Sequence, residues 1–144
     1  MIQRKQTLLL ILNDIIFVVL FFVPFMTLAS PKVPQYAQEY TLKGHPLALI
    51  GEIVIVFLTG LTIVMFKNRK LQMTLCVAGL FLSVVNSALL AYIPTMLNAE
   101  PGVHGVYSIG VGMYLSVAHL LIFFVARMFI RRDEDLVNSM DRLR

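Results

Sequence analysis

A single cysteine, Cys76, stands in the 144-residue chain, so an internal disulfide, a CxxC redox pair and a thiolate metal cluster are all out of reach. That excludes the small membrane thiol oxidoreductases. Charge is scarce as well: 14% of residues are Asp, Glu, Lys or Arg against 58% hydrophobic ones, and the mean hydropathy of +0.82 lies outside the soluble range. No HExxH, phosphate-binding loop, nucleophile–base set or pair of acids at one depth is visible. A self-sufficient enzyme is therefore not expected, nor is a metal site or a cofactor.

What is present is apolar length. A hydrocarbon core about 30 Å thick takes roughly 20 residues of helix, and four stretches reach that: about 7–28, 47–66, 71–93 and 106–130. The breaks differ chemically. Ser30-Pro31-Lys32-Val33-Pro34 opens a polar loop, Lys67-Asn68-Arg69-Lys70 makes a tight basic turn, and Pro94 to Gly105 is a Pro/Gly connection. The expected fold is an all-α integral membrane four-helix bundle, a single domain over 1–144. The opening Arg4-Lys5, apolar run and Ala29-Ser30 have some of the look of a cleaved signal peptide. Retention is expected instead, because the run is long, contains Asn13 and Asp14 and lacks an A-x-A site.

The net charge of +4 does not point to nucleic acid, because the cations flank apolar stretches rather than forming one face. Arg4, Lys5, Lys67, Arg69, Lys70, Arg127, Arg131, Arg132, Arg142 and Arg144 fall on one side of the expected membrane, and only Lys32 and Lys43 on the other. The positive-inside rule makes the first side cytoplasmic and places both termini there. Tyr36, Tyr40, Tyr92 and Tyr107 then sit near the outer boundary, where amphipathic rings settle.

The termini carry a resemblance. The opening Met1-Ile2-Gln3-Arg4-Lys5-Gln6-Thr7 and the acidic ending from Arg132 through Asp141-Arg142-Leu143-Arg144 resemble DUF4293, an uncharacterised family of small four-helix membrane proteins from Bacteroidota. Its members begin MIQR-x-QT and close on DRLR. Asn138 and Met140 depart from the pattern, where a basic and a smaller residue are expected. The resemblance implies a bacterial inner membrane and no established activity.

Ionisable groups at membrane depth are costly, so each should face the bundle interior and have a partner. Asp14, Glu52, His119 and Arg127 qualify. Asp14 lies roughly 10 Å in from the cytoplasmic side and Arg127 roughly 5 Å, so either the two pair or Arg127 snorkels to the headgroups. Glu52 and Asn86 lie at similar outer depth, where they share a hydrogen bond unless Glu52 is simply interfacial. His119 is either a neutral hydrogen-bond partner or a proton-shuttling or quinone-holding group.

Small residues four apart allow close helix approach in lipid. Gly79, Ser83 and Ser87 form one such stripe, and Ser108, Gly112 and Ser116 another. Asn86 and His119 share those faces at 100° per residue. The third and fourth helices are thus expected to pair closely, with the polar groups turned into the bundle or toward a second copy in a homo-oligomer. Pro24 is expected to kink the first span. The loop 30–46 reads as a hairpin or an interface-lying loop, with Glu39 and His45 solvated. In the tail 131–144, Leu136, Met140 and Leu143 make a helical apolar stripe, which continues the fourth helix or lies at the cytoplasmic surface. Asp133, Glu134 and Asp135 suit a protein partner there better than anionic lipid.

Two functional expectations follow. The first is a non-catalytic accessory or assembly subunit of a membrane complex. The second is a small proton-coupled transporter or quinone- or solute-binding protein using Asp14, Glu52 and His119, although no inverted repeat is visible.

Overall fold

The structure is a computed structural model that describes residues 3–29, 37–97 and 106–142. Four helices carry it: α1 (Gln3–Phe22), α2 (Pro46–Val64), α3 (Arg69–Leu97) and α4 (Val111–Arg142). Three short strands, β1 (Met26–Ala29), β2 (Ala37–Tyr40) and β3 (Val106–Ile109), form one antiparallel sheet in the order β2-β1-β3. The sheet closes the end of the bundle opposite the α2–α3 turn.

The sheet corrects two of the expected spans. The first helix stops at Phe22 rather than running to residue 28, and Val106–Ile109 pairs with β1 instead of starting a helix. The cause is Pro24, which disfavours helical backbone at the residue before it and lacks an N–H; it ends the helix rather than kinking it. The freed backbone finds new partners: Phe25 N–H donates to Tyr40 O at 2.9 Å, and Gly110 N–H and Gly112 N–H donate to Phe25 O and Pro24 O at 3.0 Å. Both glycines are required. A Cβ at Gly110 would overlap the Pro24 carbonyl, and one at Gly112 would lie 2.9 Å from Phe25 Cα.

The loop expectation resolves as a strand pair, β1 with β2, followed by a 3-10 turn over Leu42–Gly44; residues 30–36 lie outside the described residues. Glu39 is exposed, whereas His45 is part-buried, its ring 5.6 Å from those of Phe25 and Tyr40. Tyr40 itself is fully buried.

Pro46 occupies the first turn of α2, where its fixed φ suits helix and its missing N–H costs nothing. Asn68 starts α3 by accepting the Leu71 N–H at 3.1 Å. That helix passes through Pro94 to Leu97, beyond the expected end at residue 93. The fourth continues unbroken into the tail: at 32 residues it is about 48 Å long, well beyond a hydrocarbon core.

Helices α3 and α4 share the largest interface. Gly79 lies under the Phe123 ring, which a Cβ would meet at 2.5 Å, and Ser87 Oγ–H donates to Ser116 Oγ at 3.3 Å. The second small-residue stripe is broken: Ser108 is on β3, bonded to Thr27, and Gly112 packs on the α1–β1 corner.

Two apolar clusters fill the interior. One, near the sheet, includes Leu20, Phe25, Tyr40, Leu42 and Leu90; the other, toward the α2–α3 turn, holds Leu10, Ile55, Cys76, Phe123, Ala126 and Ile130. The outside is more apolar than a soluble protein tolerates, with Leu8, Phe22, Phe57, Phe81 and Leu121 all exposed by more than 60%. Three helices, α2, α3 and α4, are long and apolar enough to cross a membrane.

Candidate functional site

Between the two apolar clusters lies a chain of polar side chains with contributions from all four helices. Asn13, Glu52, Thr59, Asn86 and His119 are each at least 97% buried. Helical periodicity explains the assembly: Glu52 and Thr59 are two turns apart on one face of α2, and Asn86 and His119 come from the close α3–α4 pair.

The hydrogen-bond directions follow from one end. Thr59 Oγ1–H donates to the Ile55 carbonyl at 2.9 Å, so its oxygen accepts from Asn13 Nδ2 at 3.0 Å. Asn13 Oδ1 therefore faces His119 Nδ1 at 2.8 Å, and this ring nitrogen must carry the proton. On the far side of the ring, Nε2 lies 3.3 Å from Glu52 Oε2. The other carboxylate oxygen, Oε1, accepts from Asn86 Nδ2 at 2.8 Å. Nε2 and Oε2 face each other off the aligned geometry of a hydrogen bond. With Nδ1 carrying the ring proton, two lone pairs meet there unless one further proton sits on either atom.

A close approach of backbone protects this contact. A Cβ at Gly51 would overlap the Asn86 side-chain oxygen, so only glycine lets the Asn86 amide reach Glu52 across the α2–α3 interface. Glu52, Asn86 and His119 are exposed by 3% or less. The arrangement can hold and orient a proton.

Several expectations meet this geometry differently. The Glu52–Asn86 hydrogen bond is present, and His119 has partners on both ring nitrogens' sides. Asp14 and Arg127 do not pair: Arg127 is exposed, and Asp14 is half-buried on the flank of α1 with Oδ1 unpartnered. The inward residue of α1 is Asn13, the neighbour of the acid. Asn13 and Thr59 were not singled out by sequence, although the two-turn spacing of Thr59 from Glu52 was a usable signal.

A second polar group, also unread in the sequence, joins the helices near the α2–α3 turn. Gln6 Nε2–H donates to Asp133 Oδ2, Arg69 donates to the Asp133 carbonyl at 2.8 Å, and Gln72 Nε2–H donates to Thr62 O at 2.8 Å. A cavity of about 10 Å³ between them has room for one water. In the tail, Leu136 and Met140 are exposed, and Leu143 lies outside the described residues.

Residues 2–143 match the family described as Domain of unknown function (DUF4293). The chain belongs to it. No curated protein and no solved structure matches this DUF4293 member, so its chemistry has to be read from its own side chains. Among the described residues no three His, Cys, Asp or Glu side chains group closely enough to hold a metal ion.

Proposed function

We propose that this DUF4293 member is a four-span protein of a bacterial inner membrane, with both termini cytoplasmic, that serves as a non-catalytic accessory or assembly subunit of a membrane complex. Its apolar exterior around a buried polar chain supports membrane embedding, since lipid, unlike water, leaves polar groups to be satisfied within the protein. The apolar part of α1, Gln6–Phe22, covers about 25 Å, a shortfall that bilayers accommodate by local thinning. The ten cations around the α2–α3 turn and the two termini supply the orientation.

The observation that carries the accessory role is the burial of the polar chain: its side chains point at one another and each is at least 97% buried. What remains for partners is on the outside. Asp14 Oδ1 has no hydrogen-bond partner among the described residues, and the α4 tail presents Leu136 and Met140. A neighbouring transmembrane helix with a cation or hydrogen-bond donor at the depth of Asp14 would satisfy this carboxyl. One observation favours a second reading, proton-coupled conduction: the 3.3 Å approach of Glu52 Oε2 to His119 Nε2.

Purification of the full chain from its source membrane in mild detergent separates the two. The accessory reading expects a companion at fixed stoichiometry, lost with Asp14→Leu or on removal of residues 137–144 and kept with Glu52→Gln. A chain that runs alone, and whose vesicles pass protons in a manner abolished by Glu52→Gln, overturns it in favour of conduction.

A further inference from the structure

The turn between α2 and α3 and the start of the α4 tail border a shallow, open cleft of about 540 Å³ lined by Lys67, Asn68, Arg69, Lys70, Glu134 and Val137. We propose that this cleft binds the phosphate headgroup of an anionic phospholipid. The inference rests on the membrane reading above and goes beyond the accessory role.

Three features single out this ligand. Lys67 and Lys70 are exposed, and among the described residues neither lies within ion-pair distance of a carboxylate. Two ammonium groups on one wall therefore lack a counter-charge. Arg69 is anchored differently, by its bond to the Asp133 carbonyl at 2.8 Å, which fixes the wall against α4 so that the cleft is a held shape rather than a flexible arm. Lastly, the residues that flank the turn in sequence are apolar and exposed: Val64 by 66%, Phe66 by 50% and Leu71 by 38%. An acyl chain lies along such a surface, whereas free phosphate gains nothing from it. The cleft also sits where α2 gives way to the basic turn, at the depth of headgroups. Glu134 is the one acid on the wall, and it opposes an anion.

Charge near a membrane surface is worth about a factor of five in affinity per Lys or Arg. The test titrates the detergent-solubilised full chain with phosphatidylglycerol or phosphatidylcholine and counts retained lipid by native mass spectrometry. The expected result is preferential retention of phosphatidylglycerol, weakened roughly 10- to 30-fold in Lys67→Ala/Lys70→Ala, restored in Lys67→Arg/Lys70→Arg, and strengthened about fivefold in Glu134→Gln. Circular dichroism establishes that each variant is folded. Equal retention of the two lipids, or indifference of phosphatidylglycerol to the double alanine variant, overturns the proposal. So does displacement by inorganic phosphate with no dependence on acyl chains, which marks a free-anion site. Release of the chain from membranes by alkaline carbonate is a separate failure, that of the membrane reading itself.

Discussion

The bundle carries two polar clusters that join the same helices by opposite means. At the centre, Asn13, Thr59, His119, Glu52 and Asn86 lie between apolar layers, and each takes its partner from the protein. Near the α2–α3 turn, Gln6, Arg69, Gln72 and Asp133 meet beside a cavity large enough for one water. The difference is access to solvent. Where water can replace a lost partner, a broken hydrogen bond costs its small net worth; where it cannot, the orphaned group bears the full desolvation penalty. The centre should therefore behave as one unit that fails together, and the inner cluster as a set of replaceable contacts.

The largest expected effect comes from emptying the middle of the central chain. His119→Leu leaves the Glu52 carboxyl and the Asn13 carbonyl facing an apolar side chain, at a cost of about 3 kcal/mol. Glu52→Gln keeps both neighbours, because its amide N–H donates to His119 Nε2 and its oxygen still accepts from Asn86; its loss should stay below about 1 kcal/mol. Denaturant unfolding in detergent, followed by circular dichroism, measures both. Equal losses in the two variants would mean that the hydrogen-bond order deduced for the chain is wrong.

Backbone crowding comes next. Gly112→Ala sets a methyl 2.9 Å from Phe25 Cα and from the Pro24 carbonyl; both are backbone atoms, pinned by the sheet. A loss of about 1–3 kcal/mol is expected from such overpacking. Gly60, inside α2, has nothing within 4 Å of an added Cβ, so Gly60→Ala should instead gain up to about 1 kcal/mol in helix propensity. The same unfolding titration reads both signs. A harmless Gly112→Ala would show that the α1–β1 corner moves freely and that the sheet does not hold it.

These contrasts also show how far the sequence could be read. Membrane-length helices are legible because each is a run of apolar residues, a local property: α2 and α3 emerge near the expected bounds, while α4 starts five residues later and runs on to Arg142. The sheet is not legible, since Val106–Ile109 and Met26–Ala29 are as apolar as the helices they adjoin and acquire strand character by pairing across the chain. Pro24 was the local clue, and its effect is to end α1. Glu52, Asn86 and His119 could be singled out because polar groups are rare inside such apolar runs. Asn13 and Asp14 could not be ranked by rarity: the acid is the more expensive group, yet the helix turns the amide inward. Which of two adjacent residues faces the core depends on the phase of α1 against α2 and α4, and a weakly amphipathic helix does not declare its phase. The inner cluster was invisible for another reason, since Gln6 and Asp133 are 127 positions apart and meet only once α4 continues into the tail.

The smallest expected effect tests the other half of the comparison. Gln6→Leu removes the donor to Asp133 Oδ2, but the Arg69 contact to the Asp133 carbonyl remains, and the adjoining cavity admits a water that can donate in place of the amide. The global loss should be under about 1 kcal/mol, with the change confined to faster hydrogen exchange in the first turns of α1. A loss as large as that of His119→Leu would mean that the inner cluster is as dry as the centre, and that the two differ only in their residues. Additivity gives the sharper form. Gln6→Leu combined with His119→Leu should cost the sum of the two, because the inner apolar cluster of Leu10, Phe123 and Ile130 separates the sites and they share no partner. A shortfall from that sum would reveal that α1 docks on α4 as a single rigid strip.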